Sequence, residues 1–169
     1  MKKNKDNLNI KKKVLELNNE QPWNHNIVLP NNIETRPGNQ ISHGKNLVKW
    51  KRIEPIIDLL DIANKNVLDL GCNEGFFSKE LADKGANVLG IDIDKLRIKK
   101  AKFIQSIFGF KNPVFKVIDI YSTEFQNLDK FDLCLCMGFI HRIPDPYTAI
   151  KAIGSKTDTI LFEWKALKQ

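Results

Sequence analysis

A chain of 169 residues, 42% of them hydrophobic, is long enough to bury one core, and it has no apolar run near the roughly 20 residues that span a bilayer. Its net charge of +7 is concentrated in residues 1–13, where six lysines face Asp6 alone, and that segment lacks the apolar stretch of a secretory leader. The odd set of cysteines (Cys72, Cys134, Cys136) lies in apolar segments without a C-x-x-C pair, which argues against a disulfide framework or a metal site. We therefore expect one domain, a cytoplasmic location, no membrane association and no metal.

In chain order, residues 1–20 read as a basic tail carrying a short surface helix over Leu8 to Leu17. The tail is either a solvated, partly disordered terminus or an arm that adds affinity for nucleic acid by releasing counterions. Residues 21–65 read as a flank or lid with too few apolar residues for a second core. Trp23 to Gly38 is an extended piece punctuated by Pro22, Pro30 and Pro37, and Asn46 to Leu60 is helical but interrupted at Pro55. Trp23 and Trp50 would roof a ligand, stack a base or anchor this flank, and the anchoring role is favoured.

From residue 66 to 169, short β-branched runs alternate with amphipathic stretches of helical length, the pattern of βαβ units on a parallel sheet. The predicted strands are NVLDL (66–70), NVLGID (87–92), VFKVIDI (114–120), FDLCLCM (131–137) and TILFEW (159–164). Predicted helices carry Phe77, Leu81 and Ala82 before Gly85; Ile98, Ala101, Ile104 and Phe108 before Gly109; and Ala149, Ile150 and Ile153 before Gly154. The fold class is α/β, a Rossmann-like doubly wound sheet of five parallel strands in the order 3-2-1-4-5 with an N-terminal helical and extended flank.

The first strand runs into Asp69-Leu70-Gly71-Cys72-Asn73-Glu74-Gly75. A dinucleotide turn would read G-x-G-x-x-G and bring backbone against a pyrophosphate. Here Asn73 occupies the middle glycine's place and an aspartate precedes the turn, which suits a cationic ligand carrying an amino-acid group better than a diphosphate. Asp92, followed by Ile93, ends the second strand 21 positions after Gly71, where a carboxylate can hold ribose hydroxyls. Asp119 and Ile120 end the third, where a carboxylate and a backbone N–H can read adenine. Three aspartates along one edge of a parallel sheet point to an adenosine ligand.

VLDLGCNEGFF, GIDID, VIDIY and FDLCLCMGFIHRIPDP together resemble the successive motifs of class I S-adenosylmethionine-dependent methyltransferases. The upstream WNHNIVLPNNIETRPG and LVKWKRIEP further resemble the subgroup of tRNA wobble-uridine (carboxy)methyltransferases. The resemblance implies S-adenosylmethionine as donor and S-adenosylhomocysteine as product. It places Gly71, Cys72, Asn73 and Gly75 at the methionine moiety with Asp69 near its amino group. Asp92 and Ile93 fall at the ribose, Asp119 and Ile120 at the adenine, Met137 and Gly138 beside the sulfonium, and Lys49 toward the donor's substituent. Members that use carboxymethyl donors surround the carboxylate with aromatic and arginine side chains. This sequence has Gly44 and His141 at two such positions and no counterpart of a later arginine, which favours plain S-adenosylmethionine.

His141, after the fourth strand, is the candidate catalytic base; its alternative role is to orient the loop and cap Asp145. His25 and His43 read as structural or surface residues. The chain is short after the fifth strand, lacking the antiparallel pair that usually completes the sheet. An edge formed by Ile160, Phe162 and Trp164 is then expected to make a homo-oligomer contact or to be covered by the flank. Two readings result: a methyltransferase acting on an unidentified acceptor, nucleic acid or small metabolite, or a non-catalytic S-adenosylmethionine or S-adenosylhomocysteine binding module that needs a partner. A nicotinamide-dependent oxidoreductase is a distant third.

Overall fold

The computed structural model describes residues 2–36 and 40–163. The chain opens with α1 (Lys2–Glu20), a hairpin of β1 (Val28–Leu29) and β2 (Ile33–Glu34), and α2 (Gln40–Leu60). There follow β3 (Asn66–Leu70), α3 (Phe76–Asp83), β4 (Asn87–Asp92), α4 (Lys95–Phe108) and β5 (Val114–Val117). Last come α5 (Thr123–Gln126), β6 (Leu133–Met137), α6 (Pro146–Gly154) and β7 (Ile160–Glu163).

Five parallel strands form one sheet in the order β5-β4-β3-β6-β7. This is the expected 3-2-1-4-5 arrangement once the β1–β2 hairpin is set apart. The two central strands, β3 and β6, are buried almost throughout, and so read as apolar runs rather than alternating ones. Successive residues of β3 still serve opposite faces. Val67 packs with Trp50, Ile57, Phe77 and Leu81 on one side, and Leu68 with Ile91, Phe125, Cys134 and Ile153 on the other.

Several boundaries differ from the sequence expectation, each for a local reason. The third core strand stops at Val117, because Ile118 N–H donates to the Asp92 carbonyl (3.1 Å) and the Asp119 carboxylate then accepts from Tyr121 N–H (2.9 Å) to close a turn. β6 starts at Leu133, because Phe131 and Asp132 donate their N–H groups to Lys156 and Asn66 carbonyls as the chain enters the sheet. The N-terminal helix runs over Lys2–Glu20, longer than the expected Leu8 to Leu17, so the basic segment is helical rather than an unstructured tail. Pro55 lies inside α2 without ending it.

The flank is more tightly packed than its composition suggested. Val14, Leu17, Trp23, Ile27, Leu29 and Ile33 cluster with Ile104 of α4. The flank thus borrows an apolar face from the core instead of making its own. Trp23 is an anchor: it is 1% exposed, its indole N–H donates to the Val14 carbonyl (3.1 Å), and the Lys100 ammonium lies 4.7 Å from its ring centroid. Trp50 is likewise buried, among the apolar residues of α2, α3 and the sheet. Among the described residues, no helix is long and apolar enough to cross a membrane.

Candidate functional site

The β3–α3 turn is built on alternating left-handed residues: Gly71, Asn73 and Gly75 have φ of 70°, 56° and 82°. The missing middle glycine is therefore no break in the turn, since asparagine tolerates this region better than other side chains. Gly71 and Cys72 both donate their N–H groups to the Ile91 carbonyl (2.9 Å each), pinning the turn to the end of β4. The glycines also leave room for rings. A Cβ on Gly71 would lie 2.8 Å from Phe139, and one on Gly75 2.5 Å from Phe115.

Above the turn opens a cleft of about 530 Å³ at the carboxyl edge of the sheet, where ligands settle in open α/β folds. It brings together Lys49, Asp69, Gly71, Cys72, Asn73, Asp92, Ile93, Met137 and Gly138, all singled out in the sequence. Gly75, Asp119, Ile120 and His141 are outside its lining. Gly75 sits one turn below, as the N-cap of α3. Asp119 lies beyond the residue paired to Asp92, farther along the same edge, with Ile120 buried beside it. His141 is exposed on a short 3-10 turn, with its Cε1 3.8 Å from where a Cβ on Gly138 would project. It does not cap Asp145, whose carboxylate instead accepts from Thr148 N–H (3.0 Å) to start α6.

The two acidic groups in the cleft are held differently. Asp69 is buried and accepts a 2.5 Å hydrogen bond from the Ser78 hydroxyl; burial pushes its pKa up to about 7. Asp92 accepts from the backbone N–H of Asn73 (3.0 Å) and of Asp94 (2.9 Å), and burial raises its pKa despite these donors. Both carboxylates would gain from a cationic or hydroxyl-rich ligand. The thiols offer no comparable chemistry: burial raises Cys72 and Cys134 well above the ordinary range and Cys136 to about 12. No cluster of metal-ligating side chains occurs among the described residues.

Sequence reading missed the opposite wall. Asn24, His25 and Asn46 of the flank line the cleft, together with Arg97 and Arg142. Glu74, fully buried within the glycine turn, ties that wall down. Its carboxylate accepts from the backbone N–H groups of Asn24 and His25 (2.8 Å each) and from the Arg97 guanidinium (2.5 Å), with the Lys100 ammonium at 3.8 Å. At the far end, Lys49 pairs with Glu163 at the tip of β7 (3.0 Å), and Gly138 N–H donates to the Glu163 carbonyl (2.8 Å). A larger hollow, about 740 Å³, lies between α1 and the hairpin, but it contains neither the turn nor the acidic ladder.

The methyltransferase-domain family matches residues 62–159, which span β3 to the approach to β7 and include the whole glycine turn. The chain belongs to that methyltransferase-domain family. Among curated relatives, it is 31% identical over 101 residues to the ubiquinone biosynthesis O-methyltransferase of Pseudomonas fluorescens (strain Pf0-1), covering 60% of this chain and 43% of that one. It is also 31% identical over 91 residues to the protein of that name from Acinetobacter baylyi, covering 54% and 38%. The match thus spans less than half the length of these two relatives. Among solved structures, the N-terminal domain of EvdMO1 with SAH bound superposes with a TM-score of 0.73 at 22% identity, over 89% of this chain and 62% of that one. Magnesium protoporphyrin IX methyltransferase (ChlM) from Synechocystis PCC 6803 with bound SAM gives 0.59 at 23% identity, over 73% and 61%. At these identities the structural likeness speaks for the fold.

The cleft of this methyltransferase-domain chain also has the polarity that an adenosyl sulfonium requires. Its Asp69 and Asp92 face a wall of nitrogen donors, and its Asn73 Oδ1 is buried without a hydrogen-bond partner among the described residues.

Proposed function

We propose that this chain is an S-adenosylmethionine-dependent methyltransferase whose donor occupies the cleft above the Gly71–Asn73–Gly75 turn. The observation that carries the reading is the convergence of that left-handed turn with the buried Asp69 and the doubly hydrogen-bonded Asp92. When bound, S-adenosylmethionine supplies a sulfonium-activated methyl group, which an acceptor atom takes in line while the C–S electron pair returns to sulfur.

The chain's own residues mainly bind and orient. Asp69 receives the donor's ammonium, Asp92 with Ile93 the ribose, and Asp119 with Ile120 the adenine edge. Met137 and Gly138 flank the reacting end. His141, exposed beside Gly138, takes the proton that a hydroxyl acceptor releases.

The acceptor we favour is a hydroxyl on a small molecule, supported by the O-methyltransferase names of the relatives. A nucleic-acid acceptor, in the manner of the wobble-uridine subgroup, draws support from the upstream motifs and the lysine-rich α1. We further propose that the protein works in the cytoplasm as one domain, and that β7, at the sheet's edge, pairs with a second copy. Of the apolar residues invoked there, Trp164 lies outside the described residues.

Calorimetry with S-adenosylmethionine and S-adenosylhomocysteine, then labelled-methyl transfer to metabolite, RNA and protein pools, tests the reading. Binding followed by label in small hydroxylated molecules is the expected result. Label in RNA alone would move the acceptor to nucleic acid. Binding without transfer would favour a non-catalytic module, and no binding would sink the donor assignment.

A further inference from the structure

Lys49, Arg97 and Arg142 are the cationic side chains of the cleft lining, and the first two already have carboxylate partners. Lys49 meets Glu163 (3.0 Å) and the Arg97 guanidinium meets Glu74, two acids that stand outside the lining. His25, whose pKa burial lowers, adds no charge at neutral pH. Arg142 makes no ion pair and no side-chain hydrogen bond among the described residues. The carboxylate nearest to it in sequence, Asp145, is occupied by Thr148 N–H at the head of α6.

The chain leaves β6 through a 3-10 turn over Ile140–Arg142, which Arg142 N–H closes by donating to the Phe139 carbonyl (2.9 Å). Side chains three apart eclipse in such a turn, so Phe139 and Arg142 project to the same side, and both line the cleft. Phe139 and Ile143 are half-buried against the core of the sheet's second face, and the Phe139 ring lies over Gly71, 2.8 Å from where a Cβ there would project. Arg142 therefore stands beside a small apolar floor made of anchored side chains. Asp69 and Asp92 stand at the ends of β3 and β4, whereas this floor follows β6, on the β7 side of β3. It lies past Met137 and Gly138, away from the residues assigned to adenosine.

We infer that Arg142 recognises an anionic group, carboxylate or phosphate, on the methyl acceptor, whose apolar body rests on Phe139 and Ile143. A guanidinium presents paired N–H donors that match the oxygens of either group, and here no protein carboxylate competes for them. The inference rests on the methyltransferase reading above and names the class of acceptor: an amphipathic anion carrying the hydroxyl, rather than a neutral or cationic molecule. Arg142 is then a specificity residue for the acceptor, with no part in holding the donor.

Ligand-observed NMR titrations of the full chain loaded with S-adenosylhomocysteine compare three probes: phenylacetate, phenyl phosphate and the neutral phenylacetamide. The wild type is expected to bind at least one anion about tenfold more tightly than the amide, and the tighter anion tells carboxylate from phosphate. Arg142→Ala removes the preference, and Arg142→Lys keeps part of it, since an ammonium supplies the charge without the paired N–H geometry. Calorimetry should show the affinity of both variants for S-adenosylhomocysteine within about twofold of the wild type. In labelled-methyl transfer to the metabolite pool, label should appear in products retained on an anion-exchange resin and fall about tenfold in Arg142→Ala. No anion preference in the wild type, a preference that survives Arg142→Ala, label confined to neutral products, or a loss of S-adenosylhomocysteine affinity in Arg142→Ala would each overturn the inference. A wild type that binds no S-adenosylhomocysteine, or binds it and labels no pool, would instead sink the methyltransferase reading and this inference with it.

Discussion

The Gly71–Gly75 turn holds its shape through backbone torsions and amide hydrogen bonds, whereas the flank wall facing it is tied down by side chains: the buried Glu74 carboxylate, and Arg97 and Lys100 donating to the Pro22 and Gln21 carbonyls. The first wall is local: five consecutive residues and the end of β4 define it. The second joins the loop after α1, the turn and α4 through contacts spanning 23 to 79 positions of sequence. A wall made of torsions resists small changes in side-chain chemistry. A wall made of charges is weakened when a single buried partner is removed.

The sharpest break of this contrast is Glu74→Ala, which removes the carboxylate shared by the Asn24 and His25 backbone N–H groups and the Arg97 guanidinium, the last keeping its bond to the Pro22 carbonyl (2.9 Å). Removing one partner of such a buried ion pair should cost about 3–5 kcal/mol in urea denaturation. Hydrogen exchange at Asn24 and His25 should lose protection while the β3 amides keep theirs.

Asp69 comes next. Burial holds its pKa at about 7 against 3.8 for an open carboxyl, so the folded chain keeps a proton that the unfolded chain releases. The stability this adds is complete below pH 3.8 and is lost as pH rises through about 7. Asp69→Asn should remove that slope. The stability difference between wild type and variant then drifts by on the order of 3 kcal/mol across the window, and urea midpoints from pH 4.5 to 8 measure it.

The torsional wall is tested by paired glycines. Gly75→Ala combines a left-handed φ with a Cβ 2.5 Å from the Phe115 ring, whereas Gly109→Ala has the same kind of φ and nothing within 4 Å. Thermal unfolding should show a loss of about 2–4 kcal/mol for the first and about 1 kcal/mol for the second. Equal losses would mean that torsion alone, not the ring, sets the cost. The smallest effect belongs to Glu163→Gln: its pair with Lys49 is more than a third exposed on both sides, and breaking it should change stability by less than about 1 kcal/mol in the same assay.

This division also decided what could be read from the sequence. The strands Asn66–Leu70 and Asn87–Asp92 match their expected limits, because apolar runs bounded by turn residues carry that information locally. The glycine turn, and the placing of Asp69 and Asp92 but not Asp119 at the cleft, were legible for the same reason. Glu74 was not: inside G-x-x-x-G it looks like a spacer, and nothing nearby announces that Arg97 and two distant amides will converge on it. Lys100 was hidden too, since the basic run of α4 reads as a solvated face, although its ammonium ends buried against Trp23 and the Gln21 carbonyl. His25 and Asn46 became visible as cleft residues only once Glu74 and α2 had placed them.

The ring of Phe115 fills the space that Gly75 and Gly90 leave empty; a Cβ on either would come within 2.9 Å of it. Only Gly75 of the two has a left-handed φ, so at Gly90 the glycine is needed for volume alone. Part of the glycine signature is thus the imprint of one aromatic side chain on a neighbouring strand. Positions 75, 90 and 115 are coupled through that ring, and a smaller residue at 115 would relieve only part of the constraint: a Cβ at position 90 would still meet the Ser78 hydroxyl at 2.8 Å, and position 75 would keep its left-handed φ.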